Sequence, residues 1–278
     1  MTQLDGFPPP SSPRQRKTET RKRLITELLV ADGSATPQDL AARFGVSIVT
    51  IHRDLDELER RGIVRKFHGG VTAQPSGIFE STMSHRLTTM SAEKATIAAA
   101  ALRYVEPGMS ILLDDSTTVL KMIDGLAERT PLHVATTFVT GLRHLSELAK
   151  DSHDLTVIGI GGRYDVAHDS FVGVQTGEQV RGIHVDALFM STSAVSDTAL
   201  FHQEELIMTL KRQMMSSASK RYLLVDRNKL GRKALLRIAS LTELDLVITD
   251  RGADPEILSA WTANGVNFEI ANPDTPLP

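Results

Sequence analysis

The chain of 278 residues is 41% hydrophobic and 23% charged, with one Trp and three Tyr, enough for a sizeable core and, at about 150 residues per domain, for two domains. Its 31 Lys and Arg against 34 Asp and Glu give a net charge of −3, which excludes a wholly basic nucleic-acid coat protein and a polyacidic disordered chain. The absence of cysteine excludes a disulfide scaffold, a thiolate zinc site and a cysteine nucleophile. No apolar run approaches the roughly 18 residues of a membrane span. Residues 1–23 carry Pro8-Pro9-Pro10 and a basic cluster with no apolar segment behind it, so they do not read as a secretory signal, and a soluble cytoplasmic protein is expected.

The charge is unevenly placed. Residues 1–70 hold 12 basic and 9 acidic residues, a balance of +3, and the remainder holds 19 and 25, a balance of −6. The excess peaks at Arg14, Arg16, Lys17, Arg21, Lys22 and Arg23, a run that suits either a solvated helix face or phosphates. From Arg21, Leu24, Ile25, Leu28 and Leu29 fall at helical spacing up to a stop at Asp32-Gly33. Thr36-Pro37 supplies an N-cap and a first-turn proline for a second helix, with Leu40, Ala41 and Phe44 inward. Gly45-Val46-Ser47 reads as a tight turn, with glycine at positive φ, Val46 in the core and Ser47 capping a third helix that runs to about Arg61.

Two short helices joined by a glycine turn form a helix-turn-helix, whose second helix presents donors outward. Here Ile48, Val49, Thr50, His52 and Arg53 form that set, and the capping Ser47 beside them is a further DNA-binding candidate. Arg53 can fork onto guanine, His52 can give one hydrogen bond, and the Thr50 and Val49 methyls can meet a thymine methyl. Beyond Gly62, residues 63–68 alternate apolar and basic and end at Gly69-Gly70, the pattern of a β-hairpin wing laying Arg65, Lys66 and His68 along phosphates. The plainer alternative is a three-helix domain that binds protein or only dimerises.

Residues 40–47 (Leu-Ala-Ala-Arg-Phe-Gly-Val-Ser), Thr50 to Leu55, Leu58-Glu59, Gly62 to Arg65 and His68-Gly69-Gly70 closely resemble the DNA-binding signature of the DeoR family of bacterial transcriptional regulators. Members usually carry two arginines where this chain has His52-Arg53.

Gln74-Pro75-Ser76-Gly77 reads as a linker, and Ser91-Ala92-Glu93 as the cap of an Ala-rich helix running to about Val105. Strand-length apolar runs follow at 110–113, 132–135, 155–160, 187–190, 222–225 and 246–248. Between them lie helical patterns such as 119–129, 139–150 and 204–218. Two-sided hydrophobicity and helical crossovers predict a mainly parallel α/β domain. The domain plan is a basic tail (1–19), a winged helix-turn-helix (20–72), a linker (73–90) and an α/β sensor (91–278).

In open parallel sheets, ligands lie beyond the carboxyl ends of the strands. Those ends carry Asp114, Asp115, Ser116, Thr117 and Thr118, then Thr136 and Thr137, then Gly161, Gly162 and Arg163, then Ser191 to Ser193, then Asp226 to Lys229. Hydroxyls and amides at 116–118 suit a phosphate with Lys229 or Arg163 as counter-charge, and the paired aspartates suit sugar hydroxyls. Each has a plainer reading as a cap or a turn. His202-Gln203-Glu204-Glu205 lacks zinc spacing, and Asp165, His168 and Asp169 read as loop residues, so neither metal nor cofactor is expected. Met208, Met214 and Met215 read as core or subunit packing.

The resemblance extends through this half. Residues 114–118 resemble the family's Asp-x-Gly-Thr-Thr loop with Ser116 in place of Gly, and Thr136-Thr137 resembles its Thr-Asn pair. Gly161-Gly162 resembles its double glycine, Asp226 and Lys229 its Asp-x-x-Lys, and Thr249-Asp250 its last strand end. The resemblance implies a sensor similar in fold to ribose-5-phosphate isomerase and the sugar-phosphate deaminases. It also implies a double-stranded DNA operator, a phosphorylated sugar effector, a homodimer or homotetramer and repression of a carbohydrate operon. The alternative is a sugar-phosphate isomerase or deaminase with a DNA-binding appendage, using Asp114 or Asp115 as base and Lys229 for the phosphate.

Overall fold

The computed structural model describes residues 13–60, 63–67, 69–73, 83–150 and 152–272. Backbone contacts divide the chain into two compact units, Met1–Phe79 and Glu80–Pro278.

In the first unit, α1 (Pro13–Asp32), α2 (Pro37–Phe44) and α3 (Ile48–Arg60) are joined by a three-stranded sheet of β1 (Ser34–Ala35), β2 (Val64–Phe67) and β3 (Gly70–Ala73), in the order β1-β3-β2. Helix α1 starts at Pro13, eight residues before the expected start, so the basic cluster is helical. Thr36 Oγ1 caps α2 by accepting from Asp39 N at 3.1 Å, and Gly45 ends it at φ 62°. Ser47 Oγ accepts from Thr50 N at 3.2 Å and caps α3. Ile25, Leu29, Leu40, Ile51, Leu55 and Leu58 close one core with Ile63, Val64 and Val71 of the wing.

The second unit opens with α4 (Met83–Thr88) and α5 (Ser91–Leu102), followed by β4 (Ser110–Leu113), the one-turn α6 (Thr117–Leu120) and a 3-10 segment, Ile123–Arg129. The single helix expected over 119–129 is thus broken in two. Next come β5 (Leu132–Thr136), α7 (Val139–Leu148), β6 (Leu155–Gly159), a hairpin of β7 (Arg163–Asp165) and β8 (Ser170–Val172), then α8 (Val174–Arg181) and β9 (Val185–Met190). The chain continues through β10 (Ala194–Val195), β11 (Ala199–His202), α9 (Glu205–Ser216), β12 (Ala218–Val225), β13 (Leu236–Ser240), β14 (Leu246–Asp250), α10 (Pro255–Ala263) and β15 (Phe268–Ala271).

Seven of these strands form one parallel sheet in the order β15-β14-β12-β9-β4-β5-β6. Alternation along β4 shows why it is buried on both faces: Ile111 and Leu113 join one core, and Leu112 joins the other. The chain builds outward from β4 through β5 to β6, then returns to β9 on the other side. The β4–β9 pair is therefore the topological switch point, the position at which open parallel sheets hold their ligands. Ser91 lies inside α5 rather than capping it, since the cap residue is Met90, at φ 54° with no side-chain bond.

Candidate functional site

On the first unit, α3 turns Ile51, Leu55 and Leu58 inward and leaves Val49 67% exposed, with His52 and Arg53 also exposed and Thr50 half-buried. Thr50 Oγ1 lies 2.9 Å from Ser47 Oγ, so the two hydroxyls are hydrogen-bonded at the start of the helix. Arg53 and the exposed Arg65 on β2 have no ion-pair partner among the described residues, and their guanidinium groups are available for an anionic duplex.

Three of the other predicted cations, Lys66, Arg21 and Lys22, are engaged within the protein. Lys66 Nζ pairs with Asp56 and lies 3.4 Å from Glu59, whose other oxygen accepts from Lys66 N at 3.0 Å. The hydrogen bond that Lys66 donates to Asp56 is the main reason its ammonium is held above its usual range, so this wing cation is neutralised by the helix. Arg21 forks onto Asp54 at 2.6 and 3.3 Å, and Lys22 meets Glu57 at 2.5 Å and Glu19 at 3.0 Å. These two members of the cluster are struts between α1 and α3, not phosphate contacts. His68 and the side chains of Arg14, Arg16 and Arg23 lie outside the described residues, as do the linker residues 74–77.

On the second unit, the loop leaving β4 is knitted to the end of β9. Asp114 Oδ1 accepts from Ser116 N at 3.0 Å, and its Oδ2 accepts from Ser191 N at 2.8 Å and from Lys211 Nζ at 2.6 Å. Lys211, on α9 and only 4% exposed, also reaches Asp115 Oδ1 at 3.2 Å. Burial opposes ionisation of Asp115, but Lys211 foremost, then Arg86, His168 and His202, hold its carboxyl below the usual range. Burial likewise works against the Lys211 charge, and the two aspartates outweigh it, raising its pKa. A buried ion triad of this kind holds geometry, and removing one member leaves a charge stranded.

Ser116 Oγ caps α6 through Val119 N at 3.2 Å, while Thr117 Oγ1 donates to Arg86 O at 3.1 Å. Thr117 Oγ1 also accepts from Lys94 Nζ at 3.0 Å, and Lys94 donates to Arg86 O at 2.5 Å. Lys94 is 3% exposed, and no carboxylate lies within ion-pairing distance of it among the described residues. Burial chiefly, then repulsion from Lys229, Arg86 and Lys121 against the attraction of Asp226, pushes its pKa down to about 8. Lys229 Nζ lies 3.4 Å from Ser191 Oγ. Its loop is pinned by Arg227, which bonds Asp250 at 2.6 Å and Glu93 at 3.0 Å.

Sequence reasoning did not single out Lys94, Lys211 or Arg227. The signal was present for two of them: Lys94 and Lys211 stand in phase with the buried stripes of their helices, beside Ile97 and Ala98 and beside Ile207 and Leu210. Other expected residues have local roles. Thr136 Oγ1 accepts from Phe138 N at 3.1 Å, and Thr137 Oγ1 accepts from Ser170 Oγ at 3.0 Å. Gly161 O accepts from Thr176 Oγ1 at 3.0 Å, and at Gly162, φ 151°, a Cβ would collide with that same hydroxyl. Arg163 is exposed on β7 and no bond joins it to the Asp114–Lys211–Lys229 group. Met214 and Met215 are core residues, with Met208 packed beside them.

A capped helix-turn-helix with a wing, followed by a parallel α/β unit in which Asp114, Lys211, Ser191 and Lys229 meet at the switch point, defines a DNA-binding transcriptional regulator with a sensor domain. Two domain profiles agree: the DeoR-like helix-turn-helix domain matches residues 21–76, and the DeoR C terminal sensor domain matches residues 89–251. The chain belongs to the DeoR family. It is 33% identical to the uncharacterized HTH-type transcriptional regulator YgbI of Escherichia coli K12, over 90% of this chain and 97% of that one. It is 30% identical to the lactose phosphotransferase system repressor of Streptococcus mutans, over 88% and 98%. A ribose 5-phosphate isomerase A from Methanocaldococcus jannaschii covers 51% of this chain and 55% of its own, with TM-score 0.36 and 19% identity. The family and these relatives are regulators, which removes the isomerase or deaminase alternative. A carboxylate held ionised by Lys211 is also a weak general base at neutral pH. No helix among the described residues is long and apolar enough to cross a membrane.

Proposed function

We propose that this protein represses a carbohydrate-use operon from the cytoplasm, and that a phosphorylated sugar held at the β4–β9 switch point alters its operator affinity. Its winged unit reads double-stranded DNA with Thr50, His52 and Arg53 while Arg65 contacts phosphate. One recognition helix spans only a few base pairs, so specificity asks for a homodimer or homotetramer on paired half-sites.

The observation that carries the effector reading is the Lys94 ammonium, buried without a carboxylate and repelled by Lys229. A phosphate monoester between Lys94 and Lys229, with the Thr117 hydroxyl beside it, would supply the missing negative charge. Transmission to DNA then requires that the ester bind one arrangement of the protein more tightly than the other.

The test is calorimetric titration of the full chain with sugar phosphates at pH 8, in buffers of differing protonation enthalpy. With a pKa of about 8, Lys94 is roughly half deprotonated there, so binding should take up roughly half a proton. Absence of binding by every ester at millimolar concentration, or binding without proton uptake, would refute the reading.

A further inference from the structure

A second concentration of uncompensated positive charge lies at the opposite edge of the parallel sheet. The switch point sits at the carboxyl ends of β4 and β9, whereas the end of α9, the first half of β12 and the segment from β13 into β14 meet at the amino-terminal edge. There Arg212, Met215, Ser216, Arg221, Arg237 and Glu243 line an open groove of about 510 Å³. That volume falls in the usual range of small-molecule sites.

Each guanidinium in the groove is held by neutral acceptors. Arg212 donates from Nε to Ile238 O and from Nη2 to Arg237 O, both at 2.7 Å. Arg221 donates from Nε to Met215 O at 2.8 Å and from Nη1 to Glu243 O at 3.2 Å. Arg237 donates from Nη2 to Ser240 Oγ at 2.5 Å. Carbonyls and hydroxyls orient a guanidinium without neutralising it, and no carboxylate pairs with any of the three among the described residues. The nearby acids are engaged elsewhere: Glu243 Oε1 accepts from Ser240 N at 2.7 Å, and Asp245 accepts from Lys220 Nζ at 2.8 Å and Arg221 N at 2.9 Å. Other arginines of this unit are neutralised, Arg103 by Glu269 and Arg227 by Asp250 and Glu93.

Nη1 of Arg212, Nη2 of Arg221, and Nε and Nη1 of Arg237 therefore remain as oriented donors around one groove. Three cations against the single lining carboxylate leave a net +2 there, although residues 71–278 balance at −6. We infer that this groove is a second ligand site, independent of the one proposed between Lys94 and Lys229, and that it takes small molecules through a diphosphate group. Phosphoryl oxygens match the planar guanidinium forks. Two linked phosphoryl groups carry at least the charge needed for balance, and they can bridge forks that come from three separate elements, α9, β12 and β13.

The experiment is titration calorimetry of the full chain with pyrophosphate and with inorganic phosphate in magnesium-free buffer. Wild type should bind pyrophosphate about tenfold or more tightly than phosphate. Arg237→Gln removes one fork, and Ser216→Asp places a carboxylate in the groove while keeping every arginine; each should weaken pyrophosphate about tenfold or more. Lys94→Met, at the other edge, should bind it within about twofold of wild type. Arg237 is exposed and its side chain makes a single bond, so the ligand-free melting temperature of Arg237→Gln should stay within about 2 °C of wild type, which separates binding from folding. Pyrophosphate that fails to bind at millimolar concentration, binds no tighter than phosphate, or binds equally well to both groove variants overturns the assignment. Binding lost only in Lys94→Met also overturns it, and would move the diphosphate to the switch point.

Discussion

Replacing Lys94 with Met should stabilise the ligand-free protein while removing its response to effector. The ammonium is 3% exposed, has no carboxylate partner, and titrates at about 8 instead of its usual 10.5. At 1.36 kcal/mol per pKa unit, that gap corresponds to roughly 3 kcal/mol of destabilisation while the group is charged in both states. Because the folded pKa is the lower one, the unfolded chain binds more protons between about 8 and 10.5 and stability recovers as pH rises through that window. Methionine fills the same volume, and Thr117 Oγ1 still donates to Arg86 O after the lysine is gone. Allowing for the hydrogen bonds lost, Lys94→Met should gain about 1–2 kcal/mol at pH 7, and its advantage should shrink towards pH 10. Urea unfolding of both proteins from pH 7 to 10 measures this. A variant less stable than wild type at pH 7, with a difference that does not change with pH, would refute the reasoning.

Arg53→Ala should weaken operator binding by about 1–3 kcal/mol and relax base preference at one position, Arg65→Ala should lower affinity evenly and reduce the salt slope by about one, and Lys66→Ala should do little. Competition binding at several salt concentrations separates the three, and an equal loss from Lys66→Ala would contradict its pairing with Asp56 and Glu59. Arg21→Ala should cost about 3–5 kcal/mol in urea unfolding of the first unit, since it strands Asp54, which is 2% exposed; a cost below about 1 kcal/mol would show the strut to be dispensable. Gly162→Ala should cost about 2–4 kcal/mol through a φ of 151° and loss of the Thr176 to Gly161 bond, lowering the melting temperature by roughly 5–10 °C. An unchanged melting temperature would return Gly162 to the list of ligand contacts.

What was legible in the sequence follows from how local the cause is. The helix-turn-helix rests on neighbours: Thr36 caps Asp39 and Ser47 caps Thr50, three residues apart, and Gly45 supplies its own positive φ. Strands β4, β5, β9, β12 and β14 announce themselves because both faces are covered, while β6, at the sheet edge with Ile158 39% exposed, shows only as an apolar run. β15 escaped notice because Glu269 interrupts its apolar run, and β7, β8 and β10 are only two or three residues long. The basic cluster misled because its partners are remote: Asp54 and Glu57 stand 33 and 35 residues from Arg21 and Lys22. For the same reason, the aspartates at 114 and 115 looked free until α9 delivered Lys211, about a hundred residues on, between them.

The central claim is that a phosphorylated sugar between Lys94 and Lys229 controls DNA binding. Its most direct test is fluorescence anisotropy of the full chain on a duplex selected from random sequence, with sugar phosphates added to wild type and to Lys94→Met. One ester should shift the wild-type dissociation constant for DNA at least about tenfold, with no shift in the variant, whose DNA affinity without ligand remains measurable. An equal shift in Lys94→Met, or no shift in wild type with any ester, would contradict the claim.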